Sequence, residues 1–377
     1  MSSAAKTPPN RALAGIRQLC CLGLPGPIIV PKFLEALHDW LPTDTNHFFW
    51  SDDAGEPCNY YGETPGLENY LQLYMQEFAR NSGHSSLPSF KQAMSLAGGD
   101  LYYLGDVDAE TYLSSAYYNE LMRHVGGRYI AARVIRHRHR SFGILSTLRG
   151  ERGPAYGGNE LARLAEASRY LAFALAADDT DGYQNLPHRL DAQGVAILNG
   201  RGEIQHLDEE ARRLLFLASH PSVRAGTVRY IEGLGLPERL AALCRNLGAI
   251  FSGRRASLPE FGHWTPWGYF TFRGSWLESC GDGGRIACVI SHHLPRRLKL
   301  WRSLADLGLP PRQTEAALLF TDGLSLSEVA GKMGISRHTA VDHIETLYRR
   351  LGIEADRGTL VDRLLGDIPT AGRVGLA

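Results

Sequence analysis

LPPRQTEAALLFTDGLSLSEVAGKMGISRHTAVDHIETLYRRLGIEADRGTLVDRLL occupies Leu309 to Leu365, and four helices with their breaks are legible in it. Pro310 and Pro311 open the first, where a missing N–H costs little. Its apolar residues Ala316, Leu319 and Phe320 recur at helical spacing, and Asp322-Gly323 ends it. Ser325, with Glu328 three residues on, has capping-box spacing and starts a short second helix with Val329, Ala330 and Met333 inward. Gly334 suits a left-handed helix end. Ser336 caps a longer third helix, predicted to run to about Leu351, with Ala340, Ile344, Leu347 and Leu351 facing inward. Gly352 ends it, and Asp356 starts a fourth helix carrying Leu360, Leu364 and Leu365.

A short helix, a glycine turn and a longer helix with a polar outer face form a helix-turn-helix. The major groove, about 12 Å wide, accepts one such helix with its side chains. The third helix offers Arg337, His338, Thr339, Asp342, His343, Thr346 and Arg349, all but Asp342 able to donate to phosphates or base edges.

These residues resemble the four-helix DNA-binding domain of LuxR-type transcriptional regulators. The likeness rests on Arg312, Glu315, Gly323-Leu324-Ser325, Glu328-Val329-Ala330, Gly334-Ile335-Ser336, Thr339, His343 and Leu351-Gly352-Ile353. It covers about a sixth of the chain. Two departures stand out: Val341 takes a place where the family often has a basic residue, and Asp342 and Glu345 put negative charge near a duplex. The resemblance implies a DNA-binding regulator, with double-stranded DNA and RNA polymerase as partners. Arg337, Thr339 and His343 are the expected base readers. Lys332, Arg349 and Arg350 are the expected phosphate contacts, with Ser336 and His338 beside them. From Pro310 to Gly366 there are seven Lys or Arg and eight Asp or Glu, a balance of −1. Nonspecific affinity comes mostly from cations on phosphate, so one copy is expected to bind weakly and a homodimer on two half-sites is expected.

The whole chain has 377 residues, room for two or three domains, and a net charge of zero. At 44% apolar and 21% charged it has the composition of a soluble globular protein. No leader and no apolar run near the length of a membrane span is visible, so a cytoplasmic location without membrane partners is expected. Cys20, Cys21, Cys58, Cys244, Cys280 and Cys288 show no metal-ligand or disulfide spacing. No G-x-S-x-G, Walker loop or HExxH occurs, so no enzyme activity and no cofactor is expected.

Residues 1–12 read as a loose tail, with a short helix within 13–24 and an amphipathic helix over 31–40. Strands are predicted over 46–50 and 58–61, joined at Asp52-Asp53. That acidic pair would suit a phospho-receiver domain, but no Lys lies between Lys91 and Lys299 to complete one. Helices follow over 67–78 and 111–124, then strands over 129–135 and 142–148 and a long helix over 157–177. The cationic turn His137-Arg138-His139-Arg140 has two possible metal ligands and no third, so no metal is expected.

This order over residues 27–177 resembles a GAF-type sensor domain, which implies a small-molecule effector. Aromatic residues are dense here, and Trp50, Tyr61, Tyr74 and Tyr129 are the candidate ligand contacts. The Trp/Tyr/Asp signature of acyl-homoserine-lactone sensors has no counterpart in this region.

The acidic run Asp178-Asp179-Thr180-Asp181-Gly182 marks the expected domain boundary. Strands over 194–199 and 203–207, a helix capped by Asp208, and later strands over 267–276 and 285–291 resemble a PAS domain over 186–293. His263, Trp264, Trp267, Tyr269 and Phe272 either line a pocket there or build its core. Residues 294–308 are predicted to form a helix that connects sensor to reader rather than one that merely packs on the sensor, with Arg296, Arg297, Lys299 and Arg302 as further candidates for phosphate contact. Residues 309–368 close the domain series, with a tail over 369–377. The expected class is α+β multidomain: two antiparallel-sheet sensor domains, then an all-α domain. The competing reading is a ligand-binding or protein-interaction module whose C-terminal helical domain mainly dimerises.

Overall fold

The computed structural model describes residues 9–63, 70, 73–74, 77, 89–95, 101–103, 109–181, 190–219, 229–230, 235–265, 267–277 and 285–366. Most of the helix expected over 67–78 lies outside them.

Thr45–Ser51 (β1) and Pro57–Gly62 (β2) form a hairpin, and Tyr129–His137 (β4) and Arg140–Arg149 (β5) form another. With Leu101–Tyr103 (β3) and Arg229–Tyr230 (β8) they make a six-stranded sheet in the order β3-β4-β5-β1-β2-β8. The pairings from β3 through β8 are all antiparallel. Alternation along β1 sends Phe48 and Trp50 to one face and Phe49 to the other, as the two-residue period of a strand requires.

On the first face lie helices α1 (Pro9–Cys20), α2 (Gly26–Trp40) and, later in the chain, α5 (Gly158–Asp181). Phe33, Leu37, Leu164 and Leu171 pack there against Phe48, Ala131 and Leu145. The second face is covered by α3 (Phe90–Ser95), α4 (Ala109–Ser114) and a π-helical turn over Tyr117–Met122. That core is aromatic, with Tyr60, Phe90, Tyr112 and Tyr118 buried together.

Four expectations change. The tail reading of 1–12 fails at its end: α1 begins at Pro9, because Ala12, Ile16, Leu19 and Cys20 form a continuous buried stripe. Helix α2 begins at Gly26 rather than at 31 and carries Pro31 inside; full burial of Ile28, Ile29 and Val30 outweighs one lost backbone bond. The single helix expected over 111–124 is broken into α4 and the π turn, where Ser115 Oγ accepts from Tyr118 N at 3.2 Å and donates to Tyr112 O at 2.6 Å. Helix α5 runs through the acidic stretch to Asp181, extending a ladder set by Leu171, Ala174 and Leu175.

The second antiparallel sheet has the order β7-β6-β11-β10-β9, from Ala192–Leu198 (β6), Ile204–Leu207 (β7), Glu260–Thr265 (β9), Gly268–Leu277 (β10) and Arg285–His293 (β11). One face packs on α6 (Glu209–Ser219) and α7 (Leu236–Phe251) through Leu198, Leu214, Leu243, Phe270, Phe272 and Ile290. Asp208 caps α6: its Oδ2 accepts from Val195 N at 2.8 Å and its Oδ1 from Ala211 N at 2.5 Å, tying helix to strand. β9 and α7 are elements that sequence reading did not place.

Helix α8 (Arg296–Asp306) joins this sheet to the C-terminal helices α9 (Pro311–Thr321), α10 (Leu326–Met333), α11 (Arg337–Leu351) and α12 (Arg357–Gly366). Its cations are used inside the chain. Lys299 is buried and paired with Asp191, whose other oxygen accepts from Leu294 N at 2.6 Å. Arg297 meets Asp322 at 3.0 Å, and Arg296 donates to Thr321 O at 2.9 Å. Arg302 is half-buried. A second tie comes from α1: Gln18 Nε2 donates to Pro311 O at 2.6 Å and Arg17 pairs with Glu315 at 3.3 Å.

Candidate nucleic-acid interface

Ser325 caps α10 with the expected capping box: Glu328 N donates to its Oγ, and the Glu328 carboxylate accepts from Ser325 N at 2.8 Å. These bonds hold the Glu328 carboxyl below its ordinary range. Gly334 then takes φ 62°, a left-handed conformation that favours glycine, and turns the chain. Ser336 follows as the cap of α11, its Oγ accepting from Thr339 N at 3.0 Å. Removing that acceptor in Ser336→Ala is expected to cost about 1 kcal/mol, read as a lower urea midpoint at unchanged slope. An unchanged midpoint rejects the cap's contribution.

Helix α11 buries Ala340, Ile344, Leu347 and Tyr348 against α9, α10 and α12. Residues advance by about 100° each around a helix. The outermost line is therefore His338, Asp342, Thr346 and Arg349, with His343 and Arg350 flanking it. Arg337 sits on the core side of the circle, yet is exposed because it belongs to the first turn. Lys332, Ser336, Arg337, His338, Arg349 and Arg350 are exposed, and Thr339 and His343 half-buried. Lys332, Arg337, Arg349 and Arg350 have no ion-pair partner among the described residues. His338 lies 3.7 Å from Asp342. Six of the eight expected contact residues are thus exposed and two half-buried, and two carboxylates, Asp342 and Glu345, are exposed on the same helix.

The expected effector contacts do not converge. Trp50, Tyr61 and Tyr129 pack on the α1/α2/α5 side of the six-stranded sheet. Tyr74 lies on the opposite side, its ring 5.0 Å from Phe49. The sheet between them follows from strand alternation, which aromatic density alone does not reveal. In the second domain, Phe272 is core, and the Trp264 ring lies tilted against that of Tyr269, centroids 4.6 Å apart. His263, bonded to Ala218 O at 3.1 Å, is pushed down to about 4 by burial.

His47 is a buried polar residue that sequence reading passed over. Its Nδ1 is 2.6 Å from the Tyr60 hydroxyl, and burial pushes its pKa down to about 3. The ring is neutral in the folded chain and takes a proton on unfolding below about pH 6.5. Its contribution is therefore complete above that value and is lost as pH falls from about 6.5 toward 3. The urea midpoint of His47→Phe is expected to fall less steeply over this window than the wild type's; equal slopes reject the assignment.

An open cleft of about 760 Å³ lies at the β4–β5 tip, lined by Asp52, Asp53, Lys91, His137, Arg138 and Arg140. Its charges are mixed, and Lys91 is paired with Glu56 at 2.7 Å. No group of three potential metal ligands occurs among the described residues. None of their helices is long and apolar enough to cross a membrane.

No protein-family model and no curated protein matches the chain. Three solved structures align over much of it. The E. coli DhaR(N)-DhaL complex shares 16% identity over 77% of this chain and 94% of that one, with a TM-score of 0.25. The sensor region of a sensor histidine kinase shares 13% over 75% and 89%, at 0.18. The bacteriophytochrome RpBphP3 of R. palustris shares 10% over 76% and 63%, at 0.29. Similarity this low fixes neither fold nor function.

Proposed function

We propose that the protein is a sequence-specific, DNA-binding transcriptional regulator that acts as a dimer under the control of a small-molecule effector. In this reading residues 309–368 are a LuxR-type helix-turn-helix, 27–177 a GAF-like sensor and 186–293 a PAS-like domain. The observation that carries it is the exposed polar surface of α11, with Arg337 in its first turn and Arg349 on its outer line, neither with an ion-pair partner among the described residues. The capping box of α10 and the left-handed Gly334 between α10 and α11 support it. The effector acts by favouring one sensor arrangement, which sets the orientation of two recognition helices through α8 and α1.

Gel shifts on promoter fragments in rising salt test this. Arg349→Ala is expected to weaken binding to all sequences and lower the salt slope by about one; Arg337→Ala is expected to cost roughly 1–3 kcal/mol at the operator and relax its choice. No binding by the wild type at low salt, or unchanged footprints for Arg337→Ala, counts against the proposal.

A protein-interaction module whose C-terminal helices only dimerise is the second reading, favoured by Asp342, Glu345 and the net charge of −1 over Pro310 to Gly366. Deleting residues 309–377 separates the two. Loss of promoter binding with retained dimers supports the regulator, and loss of dimers from a chain that never bound DNA supports the module.

A further inference from the structure

Asp342 goes against the local preferences of the helix that carries it. It lies past the first turn of α11, so the helix dipole gives its charge no support, and aspartate is a weak helix former. Its carboxylate accepts no hydrogen bond among the described residues. Side chains three or four positions apart meet on a helix. Those positions hold His338, Thr339, Glu345 and Thr346, with no lysine or arginine among them. His338 Nε2 lies 3.7 Å from Asp342 Oδ2, beyond hydrogen-bond length. At about 100° per residue, Asp342 stands opposite the buried set Ala340, Ile344, Leu347 and Tyr348, with its side chain 54% exposed. Departures from local preference without local compensation collect at functional positions.

An ionised carboxylate only accepts hydrogen bonds. Against phosphate it is repelled. Against base edges its partner follows by elimination. In the major groove guanine shows the acceptors N7 and O6, and thymine the acceptor O4 and a methyl group. Adenine sets an acceptor, N7, beside its amino donor, and cytosine offers the N4 amino donor alone. Aspartate therefore gains most over cytosine. The arginines of α11 leave room for such a contact, since Arg337 is in the first turn and Arg349 lies two turns beyond Asp342. Cations at the two ends suit phosphates, and the carboxylate between them suits a base edge.

We propose that, given the DNA-binding role proposed above, on which this rests, Asp342 is a specificity-determining residue. It accepts from the N4 amino group of a cytosine in each half-site, so the operator carries a C·G pair there.

The test selects duplexes from a random-sequence pool with the full chain at low salt, then measures the enriched site and its single-pair variants by fluorescence anisotropy. The wild type is expected to enrich a C·G pair at one position per half-site and to bind the other pairs there about tenfold more weakly. Asp342→Asn, whose amide matches adenine N6 and N7, is expected to enrich A·T at that same position and to keep the rest of the site. Asp342→Ala is expected to lose the preference there while binding unrelated duplexes more tightly, because a negative charge near phosphate is gone. Neither variant is expected to lower the melting temperature, since the side chain has no hydrogen bond to lose. One site enriched identically by wild type, Asp342→Asn and Asp342→Ala overturns the assignment and leaves the DNA-binding role standing. So does an Asp342→Ala chain that binds every duplex more tightly with its choice intact, which makes Asp342 a repulsive charge only. No sequence enriched by the wild type overturns the assignment and the DNA-binding role together.

Discussion

Gly143→Ala is expected to unfold the first domain or leave it too unstable to purify. Gly143 lies on β5 directly opposite Trp50 of β1, at the centre of the six-stranded sheet. Its φ is 150°, outside the range that L side chains readily adopt. A Cβ there meets the Phe49 carbonyl oxygen at 1.9 Å and its carbon at 2.9 Å. Both are backbone atoms of the neighbouring strand, so no side-chain rotation relieves the overlap. Relief requires β1 and β5 to separate, which breaks the ladder between the two faces of the domain. The expected cost is on the order of 4 kcal/mol or more, the range of backbone strain combined with lost packing. Urea denaturation followed by near-ultraviolet circular dichroism checks it. A midpoint within error of the wild type's means that the strand geometry around residue 143 is wrong.

Lys299→Met is expected to have the next largest effect. The side chains of Lys299 and Asp191 are 11% and 18% exposed, and they pair at the junction between the second sheet and α8. Removing the ammonium leaves Asp191 enclosed with only the Leu294 N–H for its charge. Breaking one half of a buried ion pair costs about 3–5 kcal/mol, most of it the isolated partner's desolvation. Asp191→Asn in the same chain removes that stranded charge. The double variant is therefore expected to recover much of the loss, a coupling that a double-mutant cycle reads directly. If the two single losses simply add, the pair contributes nothing of its own. Under the proposed function the single variant also loosens effector control of DNA binding, seen as operator affinity that no longer follows sensor state.

The C-terminal helices were the most legible part of the sequence because every boundary there is chemical: Pro310, Ser325, Gly334, Ser336 and Gly352 each act within one turn of their own position. The first three helices start and stop within two residues of such signals, and the fourth starts one residue after Asp356. Strands β1, β2, β4 to β7, β10 and β11 were legible from apolar runs bounded by turns, whereas β3, β8 and β9 were not. What local pattern could not supply was pairing between distant segments. β8 joins the sheet of the first domain from far along the chain, and β9 carries four polar or glycine positions in a six-residue strand. The aromatic set Trp50, Tyr61, Tyr74 and Tyr129 illustrates the same limit. Type and density were visible, but the side of the sheet was not, since the residues preceding Tyr74 leave its register open.

Helix α1, which reads in sequence as little more than an appendage, has a mechanical consequence. It touches α9 through Gln18 and Arg17, while α8 grips the far end of the same helix through Arg297 and Asp322. A body on one leash wanders through a volume; a body on two pins can only swivel about the line joining them. Under the proposed function, with both pins in place, the first two domains would turn α11 through an angle, and cutting either pin would replace that single hinge with slack.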